Sequence, residues 1–388
     1  MKKKMLRALL LVGLVPALAS SAPETNKPRK PVRVVSDPAA WARELHKHGY
    51  AARGGVARAK TDAADSRARS FPHFSSSFTF GGNLYPYTMV GYPPTSGRTA
   101  TLRSVIVPLR LRFVGFDQDV VFDPAKAVNN IRRSPMYREA SFPNGVGQFG
   151  DMLQRATFWN KMDPQHRWHV IMDRPRVAGT VDVLVEPDIG DLLQLDPSDP
   201  NSILGSIKIG ALDSTLHTIL QLVDIGPDEV PVFVTYNSFA DEALGYHDAF
   251  PVANADGSET LQTLVYTSWL EDALVGDLLA DVSTFNHELG EWLNDPYVNN
   301  PAPLWAYPPS NTVCAFNPFL EVGDPQGNGP EYFDFPTVPV PLNGFTYHLQ
   351  DLVMLPWFAG ERPSSAQNGW YDFPDTTQIT RPFVGCTP

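Results

Sequence analysis

Hydrophobic period changes along the chain, and the changes mark its elements. Leu109-Arg110-Leu111-Arg112-Phe113 alternates strictly, which predicts a strand with one buried face. Apolar or alternating runs at 167–173, 179–185, 230–236 and 261–268 predict further strands. Phe149, Met152, Leu153, Ala156 and Trp159 recur at helical spacing and predict an amphipathic helix over 147–161; Leu212, Leu216, Ile219, Leu220 and Val223 do the same over 209–223. From 273 to 294, Leu274, Leu278, Val282, Phe285, Leu289 and Trp292 fall on one stripe, so this segment predicts a helix with that face buried and the opposite face in water. A last ordered run covers 344–358, inside a proline- and aromatic-rich tail. Strands and helices mixed without regular βαβ alternation predict an α+β fold rather than a doubly wound sheet.

The first 70 residues read differently. A basic start (Lys2, Lys3, Lys4, Arg7), an apolar segment from Ala8 to Ala19 and the triplet Ala17-Leu18-Ala19 predict a signal peptide over 1–19 and a secreted or periplasmic protein. Residues 20–35 lack periodicity and predict an extended linker, and Asp37-Pro38 with Gly49 brackets a short helix over 39–48. Residues 51–70 are small, polar and basic. Residues 20–70 therefore form a basic linker or pro-segment, and 71–388 a single large domain.

Composition narrows the class. The 388 residues are 43% hydrophobic, enough for a sizeable core, and proline (37) outnumbers glycine (28), which implies long, stiff loops. No apolar run beyond residue 19 is long enough to span a bilayer, so no membrane partner is expected after signal cleavage. Net charge is −11, but residues 71–388 hold 16 basic and 37 acidic side chains, which disfavours nucleic acid as a partner. Cys314 and Cys386 are the two cysteines, and export would allow them to form a disulfide.

Candidate chemistry concentrates on the 273–294 segment. His287 and Glu291 stand at i and i+4, so they project together towards one point, and Glu288 lies beside them, placed to take a proton from a water that a bound ion acidifies. The surroundings sharpen the reading: residues 209–361 contain 22 Asp and Glu, no Lys or Arg, and four histidines, His217, His247, His287 and His348. Asp277, Glu288, Glu291 and Asp295 share the polar side of the helix, the last two near its C-terminal end, where the macrodipole disfavours anions. A divalent ion is an economical remedy; an arginine from elsewhere in the fold, or adaptation of the whole surface to acidic surroundings, is the competing explanation. His247 and His348 are further candidates for nitrogen ligation, and Tyr347 and His348 for hydrogen-bond donation to an oxyanion. His169, in a strand, reads as packing or surface, and His46 and His48 as peripheral.

The stretch HELGEWLNDPYVNNPAPLW (287–305), followed by EVGDP at 321–325, resembles the H-E-L-x-E…(D/N)-P…W…E-(I/V)-x-D pattern of secreted proteins related to the plant Exordium (phosphate-induced) family and similar bacterial proteins. Those in turn resemble zincin-type metallopeptidases, and Gly245-Tyr246-His247 resembles their G-Y-H segment. The resemblance implies a zincin-like core with a mixed sheet, in which His287 and Glu291 are helix ligands, Glu288 the general base, Glu321 a third ligand and Asp324 a supporting carboxylate. Cys314 precedes the EVGD segment, whereas plant members place a cysteine after theirs, so no disulfide pattern carries over. One imidazole and two carboxylates neutralise Zn²⁺, which makes the ion less acidifying than three histidines would, and leaves another divalent metal open.

Two functions follow as expectations. One is an exported metal-dependent hydrolase, peptidase-like, acting on a peptide or other extracellular substrate. The other is a non-catalytic extracellular or wall-associated binding protein whose metal site is structural or missing. Neither a G-x-S-x-G elbow nor a poised cysteine nucleophile is present. Trp305, Tyr307, Trp357, Trp370 and Tyr371 would suit an aromatic platform for polysaccharide or packing beneath long loops.

Overall fold

Five strands form the main path of the eight-stranded sheet that carries the site. The computed structural model describes residues 29–37, 70–253, 259–277, 279–306, 318–327, 337–383 and 386. The elements used below are strand β1 (Thr99–Phe113), helix α1 (Phe149–Thr157), β2 (Val181–Val185), α2 (Ile209–Leu222), β3 (Glu229–Tyr236), β4 (Gly245–Ala253), β5 (Glu259–Trp269), α3 (Ser283–Asn294), β6 (Val338–Leu342) and β7 (Phe345–Leu349). The strand order is β2-β1-β3-β5-β4. The first four run parallel, and β4 closes one edge antiparallel to β5, with His247 opposite Val265. With several smaller sheets and hairpins beside it, the fold is mixed α+β, as expected.

Period-two alternation explains how one sheet serves two cores. Along β1, Val105, Val107, Leu109, Leu111 and Phe113 pack with Leu212, Leu216 and Ile219 of α2. Ala100, Leu102 and Ile106 instead join the core that holds Phe149 and Leu153 of α1 and Phe285, Leu289 and Trp292 of α3. α2 and α3 therefore lie on opposite faces of the sheet, and a side chain's parity decides which helix it meets. Trp292 Nε1 donates to Thr263 Oγ1 on β5 at 3.0 Å, so the largest ring of α3 is fixed by a directed bond as well as by burial.

Several expectations need correction. The helix expected over 273–294 is broken: a single turn, Asp272–Val275, ends at Gly276 (φ 73°), and α3 begins only at Ser283, after Asp281 (φ 44°) has turned the chain. Its polar side is not in water either, since all twelve residues of α3 are buried. Residues 29–37, within or next to the expected linker, are docked: Arg33–Val34 pairs in parallel with Leu193 and Gln194, and Lys30 Nζ sits 2.8 Å from Asp191 Oδ1. Two paired residues are too short a run for periodicity to reveal. The run at 344–358 is a hairpin strand followed by the short helix Leu355–Phe358. The signal peptide and the helix over 39–48, with His46 and His48, lie outside the described residues. No helix among the described residues is long and apolar enough to cross a membrane.

Candidate metal centre

α3, β4, the loop at 320–324 and the end of β7 meet around one group of side chains. Gly245 and His247 share the face of β4 that looks at α3, while Tyr246 points to the α2 side and reaches Asp213. A Cβ at Gly245 would lie 2.5 Å from Thr284 Cγ2 and 2.8 Å from Glu288 Cγ, so glycine lets α3 settle onto the strand. His247, two residues on, then reaches the carboxylates. On the other side, a Cβ at Gly323 would overlap the His287 ring, and Gly323 N donates to Glu291 Oε1 at 3.2 Å. The loop thus lies directly on α3, with Glu321 and Asp324 to either side of the contact.

The distances define two halves that share Glu291. His287 Nε2 is 3.1 Å from Glu291 Oε1 and 3.7 Å from Asp324 Oδ1. His247 Nδ1 is 3.6 Å from Glu291 Oε2, and its Nε2 is 3.7 Å from Glu321 Oε2. Among the described residues, His287, Glu291 and Asp324 form one triplet with ligand atoms mutually within 4.8 Å, and His247, Glu291 and Glu321 form another. His287 and Glu321, expected from the sequence to share one ion, thus fall in different triplets. Glu288 lies between the rings, Oε2 at 3.4 Å from His247 Nδ1 and Oε1 at 3.9 Å from His287 Nε2.

Hydrogen bonds outside the cluster set the tautomers. Gln350 Nε2 donates to Gly323 O at 2.7 Å, which leaves its Oε1 to accept from His287 Nδ1 at 2.8 Å. His287 then presents Nε2 to Glu291. His247 Nε2 likewise donates to Asp295 O at 3.1 Å, turning Nδ1 towards the carboxylates. Lone-pair nitrogens facing carboxylate oxygens at these distances require a proton or a cation between them.

Electrostatics makes the same demand. Burial drives the carboxyls of Glu291, Glu321 and Asp324 well above the ordinary carboxylate range, and neighbouring acids add to the rise. Burial alone would lower the His247 imidazole, but Glu321, Glu288 and Glu291 hold it well above its usual value. Asp295, pushed up to about 6 by burial, accepts from the backbone N–H groups of Asn299 and Asn300 and closes the turn after α3. Among the described residues no arginine or lysine pairs with Glu288, Glu291 or Glu321; their ion-pair partners are histidines. Both oxygens of Glu321, a residue with no exposed surface, lack a hydrogen-bond donor among the described residues. Oxygen-rich donors with one imidazole per triplet, a glycine-lined fit around His287 and the orphaned Glu321 oxygens suit a divalent first-row ion.

Other residues singled out in the sequence go elsewhere. Tyr347 OH donates to Asn130 O at 3.0 Å, and His348 Nδ1 is 2.7 Å from Asp281 Oδ2, so neither is directed at the cluster. His169 pairs with Asp151 at 2.9 Å. Trp305 packs edge-on to Trp357 and Phe358, and these three rings and Tyr371 are buried, which favours packing over a platform; Tyr307 lies outside the described residues. Cys386 is disulfide-bonded, and Cys314 lies outside the described residues. Gln350, which orients His287, escaped the sequence reading: its one signal is that it shares strand parity with His348. Comparison with protein-family models, curated proteins and solved structures finds no match, so the family resemblance stands on the residues between 245 and 325 alone.

Proposed function

We propose that this chain is an exported, metal-dependent hydrolase with a zincin-like core, acting on an amide or related acyl bond of a peptide or other extracellular substrate. The observation that carries the reading is the position of Glu288. Its carboxylate touches both imidazoles yet belongs to neither ligand triplet, where a general base must stand. A divalent ion held there, Zn²⁺ or another, would supply Lewis acidity and acidify a water. Glu288 is placed to accept a proton at Oε1 or Oε2 and to return it to the leaving amine. His287 and His247 are held in register by Gln350 and the Asp295 carbonyl. The zincin-like core is supported by the mixed sheet, its antiparallel edge strand and the helix that carries H-E-L-G-E. The acidic body argues against nucleic acid.

Burial of every cluster side chain favours a second reading, an extracellular or wall-associated binding protein with a structural metal site. Glu288→Gln separates the two. If the chain is a hydrolase, the variant keeps its metal and loses cleavage of a peptide or ester panel by at least ~100-fold. Unchanged cleavage, or none by the metal-loaded wild type, rejects the hydrolase and leaves the structural site.

A further inference from the structure

We propose that the cluster is a two-ion centre bridged by Glu291. This rests on the reading of the cluster as a metal centre and goes beyond it in the number of ions held. One ion would be held by His287, Glu291 and Asp324, the other by His247, Glu291 and Glu321. The two oxygens of Glu291 already divide the work: Oε1 faces His287 and Oε2 faces His247. A carboxylate that turns one oxygen to each imidazole can bridge a pair of ions ~3.5–4 Å apart. A single-ion site would gather its ligand atoms about one point.

Charge points the same way. Glu288, Glu291 and Glu321 carry three negative charges when ionised, and no described Lys or Arg pairs with them. One divalent ion leaves part of that charge uncompensated among buried side chains. A single ion beside His287 and Asp324 would also leave both Glu321 oxygens without a partner, whereas the second ion engages them. The His247 ring, with Nε2 committed to the Asp295 carbonyl, turns Nδ1 to Glu291 and Glu288, and the nearest Glu321 oxygen lies 3.7 Å from Nε2.

The test uses the purified chain, stripped with chelator, reloaded with Mn²⁺ and desalted. We expect two manganese per chain by elemental analysis and a paramagnetic resonance spectrum broadened by coupling between the ions. Glu321→Gln and Asp324→Asn, each checked for folding by circular dichroism, should each hold one manganese and show an uncoupled six-line spectrum. One manganese per wild-type chain with an uncoupled spectrum overturns the two-ion proposal and leaves the metal-centre reading standing. No retention of Mn²⁺ or Zn²⁺ overturns both. Should a variant not fold, the wild-type count and spectrum decide alone.

Discussion

Gln350 Oε1 accepts the Nδ1 proton of His287 at 2.8 Å, while the same amide donates to Gly323 O at 2.7 Å. One side chain thereby fixes the tautomer of a candidate ligand and ties down the loop bearing Glu321 and Asp324. Partners of this kind are typically worth 10–100-fold in metal affinity. Gln350→Leu should weaken Zn²⁺ binding by about that factor in a competition titration, and Gln350→Glu, which keeps an acceptor for Nδ1, should lose less. Equal affinities in all three proteins would remove Gln350 from the site.

Gly245 and Gly210 make a matched pair for the packing argument. A methyl at Gly245 meets Thr284, Glu288 and the backbone oxygen of Tyr266, whereas one at Gly210 in α2 meets nothing within 4 Å. Gly245→Ala should cost ~1–3 kcal/mol in denaturant unfolding and also displace Glu288. Gly210→Ala should gain ~0.5–1 kcal/mol from helix propensity. A neutral Gly245→Ala would mean that α3 does not press on β4 as described.

Asp351 and Asp372 form a second buried acid pair, remote in role from the metal cluster. Burial pushes the Asp372 carboxyl up to about 7 and raises Asp351 well above its usual value, with the Asp372 charge adding to the burial effect. Because the folded value exceeds the unfolded one, the folded state binds the extra proton, and stability falls as pH rises from about 4 to about 7. The loss should be of order 2–4 kcal/mol across that window. Asp372→Asn, which retains an oxygen for the Ile379 N–H, should flatten the profile in urea titrations at pH 4 and pH 8. A wild-type profile already flat over this range rejects the assignment.

Metal removal should destabilise the whole body rather than a loop, because α3 is central to the main core. At a free ion concentration 100 times the dissociation constant, binding adds ~2.7 kcal/mol per ion. Chelation should therefore lower the thermal midpoint reversibly, and Glu291→Gln, lacking the shared carboxylate, should show no response to either chelator or metal. A midpoint indifferent to chelator in the wild type would argue that no ion is bound.

The sequence was most legible where period and chemistry coincided. Strict alternation located the strands, and i, i+4 spacing brought His287 and Glu291 to one point. The break between Val275 and Ser283 was hidden because Leu274, Leu278 and Val282 continue the helical stripe, while the turns at Gly276 and Asp281 depend on backbone angles. Water on the polar face of α3 was inferred from amphipathicity, which cannot register that β4 and the 320–324 loop cover it. Asp324 looked like a supporting carboxylate and His247 an auxiliary, yet each shares a triplet with Glu291 whose ligand atoms lie within 4.8 Å of one another. Their placement depends on pairing between segments distant in sequence, which no local pattern encodes.

The ligands span His247 to Asp324, and Gln350 orients one of them, so the grip exists only after β4, α3, the 320–324 loop and β7 have come together. These segments are joined through long-range contacts, which form late because chain closure must precede them. Ion capture is therefore a report of completed folding: a chain still in assembly offers scattered donors of little affinity, and the finished one a tight grip.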